Sequence, residues 1–163
     1  MRCRVSRIVL TSLSTPSHII QSLKDARAGG YALGVKLVRG AYHPFEVEAS
    51  ESPETCPVWA EKQDTDACYN QCIGLLINAL KGDVGHKIPH VGLLFGTHNS
   101  ESCMKLLSGL VREGIATEKD GLVVMSDEAT ERCAIGQLFG SWRCLSILDG
   151  RSLIYYPQVC RTL

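Results

Sequence analysis

Short apolar runs that alternate with segments of helical periodicity constrain the fold of this chain more than any other feature. Runs of strand length cover residues 35–38, 90–95 and 133–138, and a last short run covers residues 153–156. Strands that alternate with helices favour parallel pairing through right-handed crossovers. A complete (β/α)8 barrel takes about 250 residues. The 163 residues present therefore predict an α/β fold, a partial TIM-like barrel of three to four βα units, with a small doubly wound sheet as the alternative.

The helix boundaries follow from capping residues and glycines. Thr15 is the predicted N-cap of the first helix, Asp64 or Thr65 begins the second, and Ser100 caps the third. Residues 43–57 are rich in Glu, Ser and Pro and are predicted to form a long loop. The polar residues after the third helix are assigned no element.

Composition excludes several classes of function. Seventeen basic residues balance seventeen acidic ones, so the chain lacks the basic surface that nucleic-acid binding needs. No run approaches the roughly 20 apolar residues that span a bilayer. The sequence contains no Gly-x-Ser-x-Gly elbow of a hydrolase, no P-loop, and no Gly-x-Gly-x-x-Gly after its first strand.

The eight cysteines are predicted to be reduced thiols that pack mostly as small apolar groups. No Cys-x-x-Cys pair occurs, and the sequence therefore predicts no metal site. Arg2, Arg4 and Arg7 lie among serines, and no acidic residue precedes Asp25. Two interpretations of this basic segment, residues 1–14, stay open: a mitochondrial transit peptide and a fortuitous basic terminus.

Polar side chains follow three of the predicted strands. Tyr42 follows the first, the triplet Thr97, His98 and Asn99 follows the second, and Gln137 ends the third. Ligands of parallel sheets bind outside the carboxyl ends of the strands. The sequence therefore predicts a polar binding rim at this end of the sheet.

Two features of that rim allow two interpretations each. Lys36 interrupts an apolar strand, either because it faces an anionic or electron-accepting ligand or because its stem packs while its amine reaches the rim. The Thr97–His98–Asn99 triplet opens a helix, whose N-terminus suits a phosphate. Asn99 and Ser100 serve equally well as plain helix caps, and His98 as a structural histidine.

Several ordered motifs resemble the proline dehydrogenase family, especially its fungal mitochondrial type. They are KLVRGAY at residues 36–42, the helix start at residues 57–70, GTHN at residues 96–99 and GQLFG at residues 136–140. The resemblance runs from residue 15 to residue 140 and corresponds to the C-terminal half of the family's barrel.

The resemblance implies a distorted (β/α)8 barrel that binds FAD, oxidises L-proline to Δ1-pyrroline-5-carboxylate and passes the electrons to a quinone. It also implies a mitochondrial location with peripheral association with the inner membrane. Lys36 would lie beside the reactive edge of the flavin and Tyr42 near the substrate, which makes them the catalytic candidates. The remaining cofactor-binding residues implied are Leu37, Val38, Gly40, Ala41, Lys62, Thr97, His98, Asn99 and Gln137.

Departures from the family divide the chain into a basic segment (1–14), a partial barrel (15–140) and a divergent tail (141–163). Ser141 stands where the family has Met, and neither the first four strands nor the helix with paired arginines has a counterpart. The 163 residues are therefore expected to bind FAD weakly or not at all, and to show no proline oxidation. Two alternatives are a non-catalytic half-barrel that binds a partner or self-associates through open sheet edges, and another barrel enzyme with a phosphorylated ligand at residues 97–100.

Overall fold

The computed structural model describes residues 4–10, 13–40, 43–52, 54–84, 91–136, 145–148 and 152–155. The helices are α1 (Thr15–Gly29), α2 (His43–Ala49), α3 (Lys62–Asp83), α4 (Ser100–Arg112) and α5 (Asp127–Thr130). The strands are β1 (Arg4–Leu10), β2 (Leu33–Arg39), β3 (Val91–Gly96), β4 (Ala116–Lys119), β5 (Leu122–Met125), β6 (Cys133–Gly136), β7 (Leu145–Leu148) and β8 (Ser152–Tyr155). No helix within these ranges has the length and apolar character that crossing a membrane requires.

Four parallel strands form the main sheet in the order β1-β2-β3-β6. The connections β1-α1-β2, β2-α3-β3 and β3-α4-β6 each carry a helix. Helix α3 packs against α1, α4, β2 and β3, so the three long helices cover one face of the sheet. A doubly wound sheet has helices on both faces, and the predicted partial barrel is therefore the fold that is confirmed.

The core lies between this sheet and its helices. Tyr69, Leu76 and Leu80 of α3, like Leu106 and Leu110 of α4, are completely shielded from solvent. The sheet contributes every second side chain of β2 and β3: Leu33, Val35, Leu37, Val91, Leu93 and Phe95. This period of two is what a strand with one covered face produces.

Four cysteines belong to this core. Cys68, Cys72, Cys103 and Cys133 are buried free thiols, and Cys56 is a half-buried free thiol. Burial, together with the neighbouring Cys68, raises the pKa of Cys72 to about 12. Burial alone raises the pKa of Cys133 to about 12. These thiols are protonated at neutral pH, as expected for cysteines that act as small apolar groups.

The prediction of a loop over residues 43–57 is wrong in its first half, where α2 forms. Pro44 lies in the first turn of this helix, where its missing N–H costs nothing. Ser50 closes the other end by donating its hydroxyl to the Glu46 carbonyl, at 2.6 Å. The segment rich in Glu, Ser and Pro is therefore a short surface helix followed by a loop.

Three predicted caps are displaced along the chain. Ser14 precedes α1, so Thr15 is its first residue, and Glu61 precedes α3, which begins before Asp64. Asn99 caps α4: its side-chain oxygen accepts the Ser102 N–H at 2.8 Å. Ser, Asn and Asp compete closely as caps, and the sequence places the caps of α1 and α4 to within one residue, whereas the start of α3 lies two to three residues before the prediction.

Strand β1 and a second sheet have no counterpart in the sequence prediction. Residues 1–14 were assigned no element, yet β1 pairs in register with β2. Four antiparallel strands form the second sheet in the order β4-β5-β8-β7. Residues 153–155 of the predicted run at residues 153–156 lie in β8, which pairs in this second sheet and not in the parallel sheet. Asp120 and Gly121 form the turn between β4 and β5 with φ of 52° and 76°, the two positive angles that a tight hairpin requires.

Candidate functional site

One face of the parallel sheet is not covered by the helices. Lys36 is exposed and Val38 half-buried there, while their neighbours in β2 point into the core. Lys36 pairs with Leu94 of β3, and Leu94 pairs with Ala134 of β6. Paired residues of parallel strands share a face, so Lys36, Leu94 and Ala134 form a row across β2, β3 and β6 in which Lys36 is the charged member.

Glycines flank this row on both sides. Gly34 pairs with Gly92, and Gly96 pairs with Gly136. A Cβ at Gly96 would lie 3.3 Å from the Val38 Cγ2 atom, which is a tight contact. Because side chains are missing from these positions, a flat ligand can approach the backbone of β2, β3 and β6 closely.

Gly40 follows the last residue of strand β2 and has a φ of 67°. This left-handed conformation favours glycine over residues with a Cβ. The chain thus turns sharply at the carboxyl end of the strand that carries Lys36.

The Thr97–His98–Asn99 turn lies at the carboxyl end of β3. Thr97 is 4% exposed, and its hydroxyl oxygen accepts the Asn99 N–H at 3.1 Å. The Asn99 side-chain oxygen accepts the Ser102 N–H, and this geometry supports the interpretation of Asn99 as a cap. His98 is half-buried between these two residues.

A basic recess of about 380 Å³ lies beside the end of β2. Arg39 and Lys62 both donate to the Asp66 carboxylate, and the Lys62 Nζ lies 2.7 Å from Oδ2. Two cations against one carboxylate leave an excess positive charge in the recess, which suits an anionic ligand. Its lining residues are Arg39, Gly40, His43, Ala60, Lys62, Thr65 and Asp66.

The ion pairs of the recess lower the pKa of Asp66. Burial of the carboxyl group acts in the opposite direction, but the hydrogen bond from Lys62 and the charges of Arg39 and Lys62 outweigh it. A carboxylate with a depressed pKa stabilises the folded state above its unfolded pKa, and this contribution disappears as the pH falls through the folded value.

We therefore expect Asp66→Asn to lower the free energy of unfolding at pH 7 and to have little effect at about pH 2, below the ordinary range of aspartate. Urea unfolding at both pH values measures the difference. Asp64→Asn is the matched control, because Asp64 is an exposed carboxylate in the same turn of α3. A pH-independent loss for Asp66→Asn would contradict the assignment to ion pairing.

A second cavity, of about 560 Å³, lies between α2 and the segment before α3. Its walls are mostly apolar and include Val47, Val58 and Trp59, with Glu51 and Glu54 also in the lining. His43 connects the two cavities, because it lines both and its Nε2 lies 2.9 Å from the Trp59 carbonyl oxygen.

Some of the predicted site residues lie together at one end of the sheet. Others are not among the residues that the structure describes. Lys36, Val38 and Gly40 lie on the open face or at its edge, and Lys62 lies at the recess. The Leu37 side chain is completely buried in the core, so only its backbone can serve a ligand. Ala41, Tyr42 and Gln137 lie outside the described residues. Within the described ranges, no three His, Cys, Asp or Glu side chains form a group that could hold a metal ion.

Sequence reasoning missed Arg39 and Asp66 as site residues. Acidic residues are common at the start of a helix and need no further role there, so the position of Asp66 alone does not indicate a site. The spacing of Lys62 and Asp66, four residues apart on a helix, is the signal that indicates their pairing. No pattern in the sequence indicates that Arg39 pairs with Asp66, because the two residues are 27 positions apart in the chain.

Residues 12–157 match the family model of proline dehydrogenase. The chain is 31% identical over 119 residues to "Proline dehydrogenase 1, mitochondrial" of Dictyostelium discoideum, covering 72% of this chain and 18% of that protein. It is 32% identical over 132 residues to "Hydroxyproline dehydrogenase" of Bos taurus, covering 78% and 25%. It thus spans a quarter or less of the length of these relatives.

Solved structures of proline utilization A share the fold. The protein from Bdellovibrio bacteriovorus, inactivated by N-propargylglycine, aligns with a TM-score of 0.64 at 20% identity, over 83% of this chain and 12% of its own. A structure of proline utilization A with proline bound in remote sites aligns with a TM-score of 0.55 at 25% identity, over 64% and 10%. The neighbours are much longer than the part that aligns.

Proposed function

Because the chain belongs to the proline dehydrogenase family, we propose that it forms the part of a barrel enzyme that binds FAD, with the isoalloxazine ring on the open face of the sheet. The whole enzyme would oxidise L-proline to Δ1-pyrroline-5-carboxylate. Relatives from Dictyostelium discoideum and Arabidopsis thaliana are named mitochondrial, and we propose the same location. Transfer of the electrons to a quinone and peripheral contact with the inner membrane are further parts of this proposal.

The observation that carries the proposal is the open face itself. Its glycine pairs leave backbone that a flat ring can contact, and Lys36 projects from β2, one of the two inner strands of that sheet. A Cβ at Gly96 would narrow this surface against Val38. The residues present therefore fit an extended, planar ligand that accepts electrons, because Lys36 favours the negative charge such a ligand gains.

The chemistry that FAD supplies when bound is acceptance of a hydride from the carbon next to the amine nitrogen of L-proline. The protein must hold the two reactants in a productive orientation and adjust the electrostatics around them. The Lys36 ammonium favours negative charge that develops beside it. The recess with Arg39 and Lys62, and the Thr97–His98–Asn99 turn at the start of α4, favour the phosphate groups.

The substrate has a second candidate. The bovine relative is named for hydroxyproline and is 32% identical to this chain, about as similar as the relative named for proline. L-proline and 4-hydroxy-L-proline differ by one hydroxyl group. They should therefore be compared side by side in every activity assay.

The flavin site is tested with the 163-residue chain, labelled with 15N and titrated with FAD. We expect weak saturable binding, with shifts at the amides of Lys36, Leu94 and Gly96. Gly96→Val should weaken it at least about tenfold, because the side chain fills the surface of the ring site and crowds Val38. Gly74→Ala is the matched control, since a Cβ there meets nothing within 4 Å.

Equal flavin affinity in Gly96→Val and the unaltered chain would contradict the proposed face, as would the absence of any shift at millimolar FAD. Size-exclusion chromatography of the same samples tests the alternative function. A stable oligomer that excludes flavin from the open face would favour the self-associating half-barrel.

A further inference from the structure

Two consecutive residues of α3 contact the two sides of the Thr97–His98–Asn99 turn. Tyr69 donates its hydroxyl to the carbonyl of Gly96, the residue before the turn, at 3.4 Å. Asn70 accepts at Oδ1 the hydroxyl of Ser102, three residues after the turn, at 3.0 Å. The turn is thus held from one helix at both of its ends.

The burial of these groups makes the contacts specific. Tyr69 and Ser102 are both completely shielded from solvent, and a buried hydroxyl that loses its partner is costly. Burial also raises the pKa of Tyr69 above its ordinary value. Tyr69 therefore keeps its proton, and remains a hydrogen-bond donor, throughout the physiological range.

Ser102 links the helix contact to the cap. Its hydroxyl is bonded to Asn70, while its N–H is bonded to the side-chain oxygen of Asn99. The Asn99 N–H is bonded in turn to the Thr97 hydroxyl. A continuous set of hydrogen bonds therefore connects Asn70 of α3 to Asn99 and Thr97 of the turn.

We propose that Tyr69 and Asn70 are positioning residues: they fix the turn and the first N–H groups of α4 in the geometry that binds the phosphate-bearing part of a dinucleotide ligand. This inference rests on the proposed function for the identity of the ligand. Both residues bond to groups that flank the turn, and each acts through the backbone that it holds. Small displacements of the groups that bind a ligand have large effects on function. The completely buried Tyr69 side chain of α3 opposes such displacements of the turn.

The test uses the 163-residue chain with Tyr69→Phe, Asn70→Ala, Ser102→Ala and the double variant Asn70→Ala/Ser102→Ala. Tyr69→Phe keeps the ring that fills the core. Asn78→Ala and Ser108→Ala are matched controls, because both residues are exposed on the same two helices. Three quantities are measured: the free energy of unfolding in urea, the amide hydrogen exchange of Asn99 and Ser102, and the affinity for ADP by NMR titration.

In each variant of the positioning contacts, we expect the Asn99 and Ser102 amides to exchange faster while those of Leu106 and Leu110 are unchanged. The affinity for ADP should fall about three- to tenfold per lost hydrogen bond. The double variant should bind ADP about as well as either of its single variants, because Asn70 and Ser102 share one bond. The two controls should match the unaltered chain.

Unchanged exchange at Asn99 and Ser102 would overturn the inference, and so would unchanged ADP affinity in a chain that binds ADP. If the variants lose stability but keep their affinity for ADP, Tyr69 and Asn70 have only a structural role and the inference is wrong. If the unaltered chain binds no ADP, the proposed ligand site fails, and the exchange rates alone then decide whether the turn is held from α3.

Discussion

Replacing Lys36 by alanine is expected to slow proline-dependent reduction of the flavin by about 10²- to 10³-fold, the cost of removing one preorganised electrostatic group from a catalytic site. The measurement uses a chimera in which a relative from the family supplies the rest of a complete barrel. The FAD content per chain should change less than about twofold. A cation beside the ring stabilises charge that develops during the reaction, and it therefore acts on the transition state more than on the bound cofactor.

Two further variants test whether the effect depends on the positive charge at Lys36. Lys36→Arg keeps the positive charge on the same face and should retain most of the rate. Lys105→Ala removes an exposed lysine whose partner is Glu101, four residues before it on α4, and surface pairs of this kind contribute little. If Lys36→Ala lowers the FAD content and the rate equally, Lys36 holds the cofactor and has no separate role in the reaction.

Leu76→Ala is expected to lower the free energy of unfolding by about 2–5 kcal/mol. Leu76 is completely buried in α3 at the centre of the core, so its truncation leaves a cavity that the surrounding side chains fill only in part. Domains of this size are stable by about 5–15 kcal/mol. One methyl-rich side chain thus accounts for a large share of what keeps this chain folded.

Urea unfolding followed by circular dichroism measures the loss. Leu13→Ala is the matched control, because the Leu13 side chain is 50% exposed and removal of an exposed leucine leaves no cavity. We expect its effect to be within about 0.5 kcal/mol. Similar losses for the two variants would mean that the helices do not pack against the sheet as described.

Strands β2 and β3 of the parallel sheet were predictable because they are compact apolar runs that lie between helices, whereas β1 was not predicted. Helix α2 was not, since the seven residues His43–Ala49 are too few to establish a helical period. The hairpin of β4 and β5 was missed although its Asp-Gly turn is a strong local signal. Its strands are mostly polar or half-exposed, so hydrophobic alternation did not draw attention to them.

The candidate site was predictable where it depends on position along a strand and not where it depends on contacts between distant segments. Lys36 and the Thr97–His98–Asn99 turn were proposed as site residues because functional residues gather at the carboxyl ends of parallel strands. The bonds from Tyr69 and Asn70 join residues 27 and 32 positions apart in the chain. Only the packing of α3 against β3 and α4 brings these partners together.

The reactivity of the buried thiols can be used to measure how often the core of this protein opens. Cys72 and Cys133 are protonated in the folded state, with pKa values of about 12, and only a thiolate reacts with an alkylating reagent. Cys56, half-buried on the side of α2 and Trp59, should react without any unfolding. The ratio of the two labelling rates, read by mass spectrometry, reports how often the core opens in native conditions. The sequence therefore carries an internal probe of local stability that needs neither added denaturant nor an introduced label.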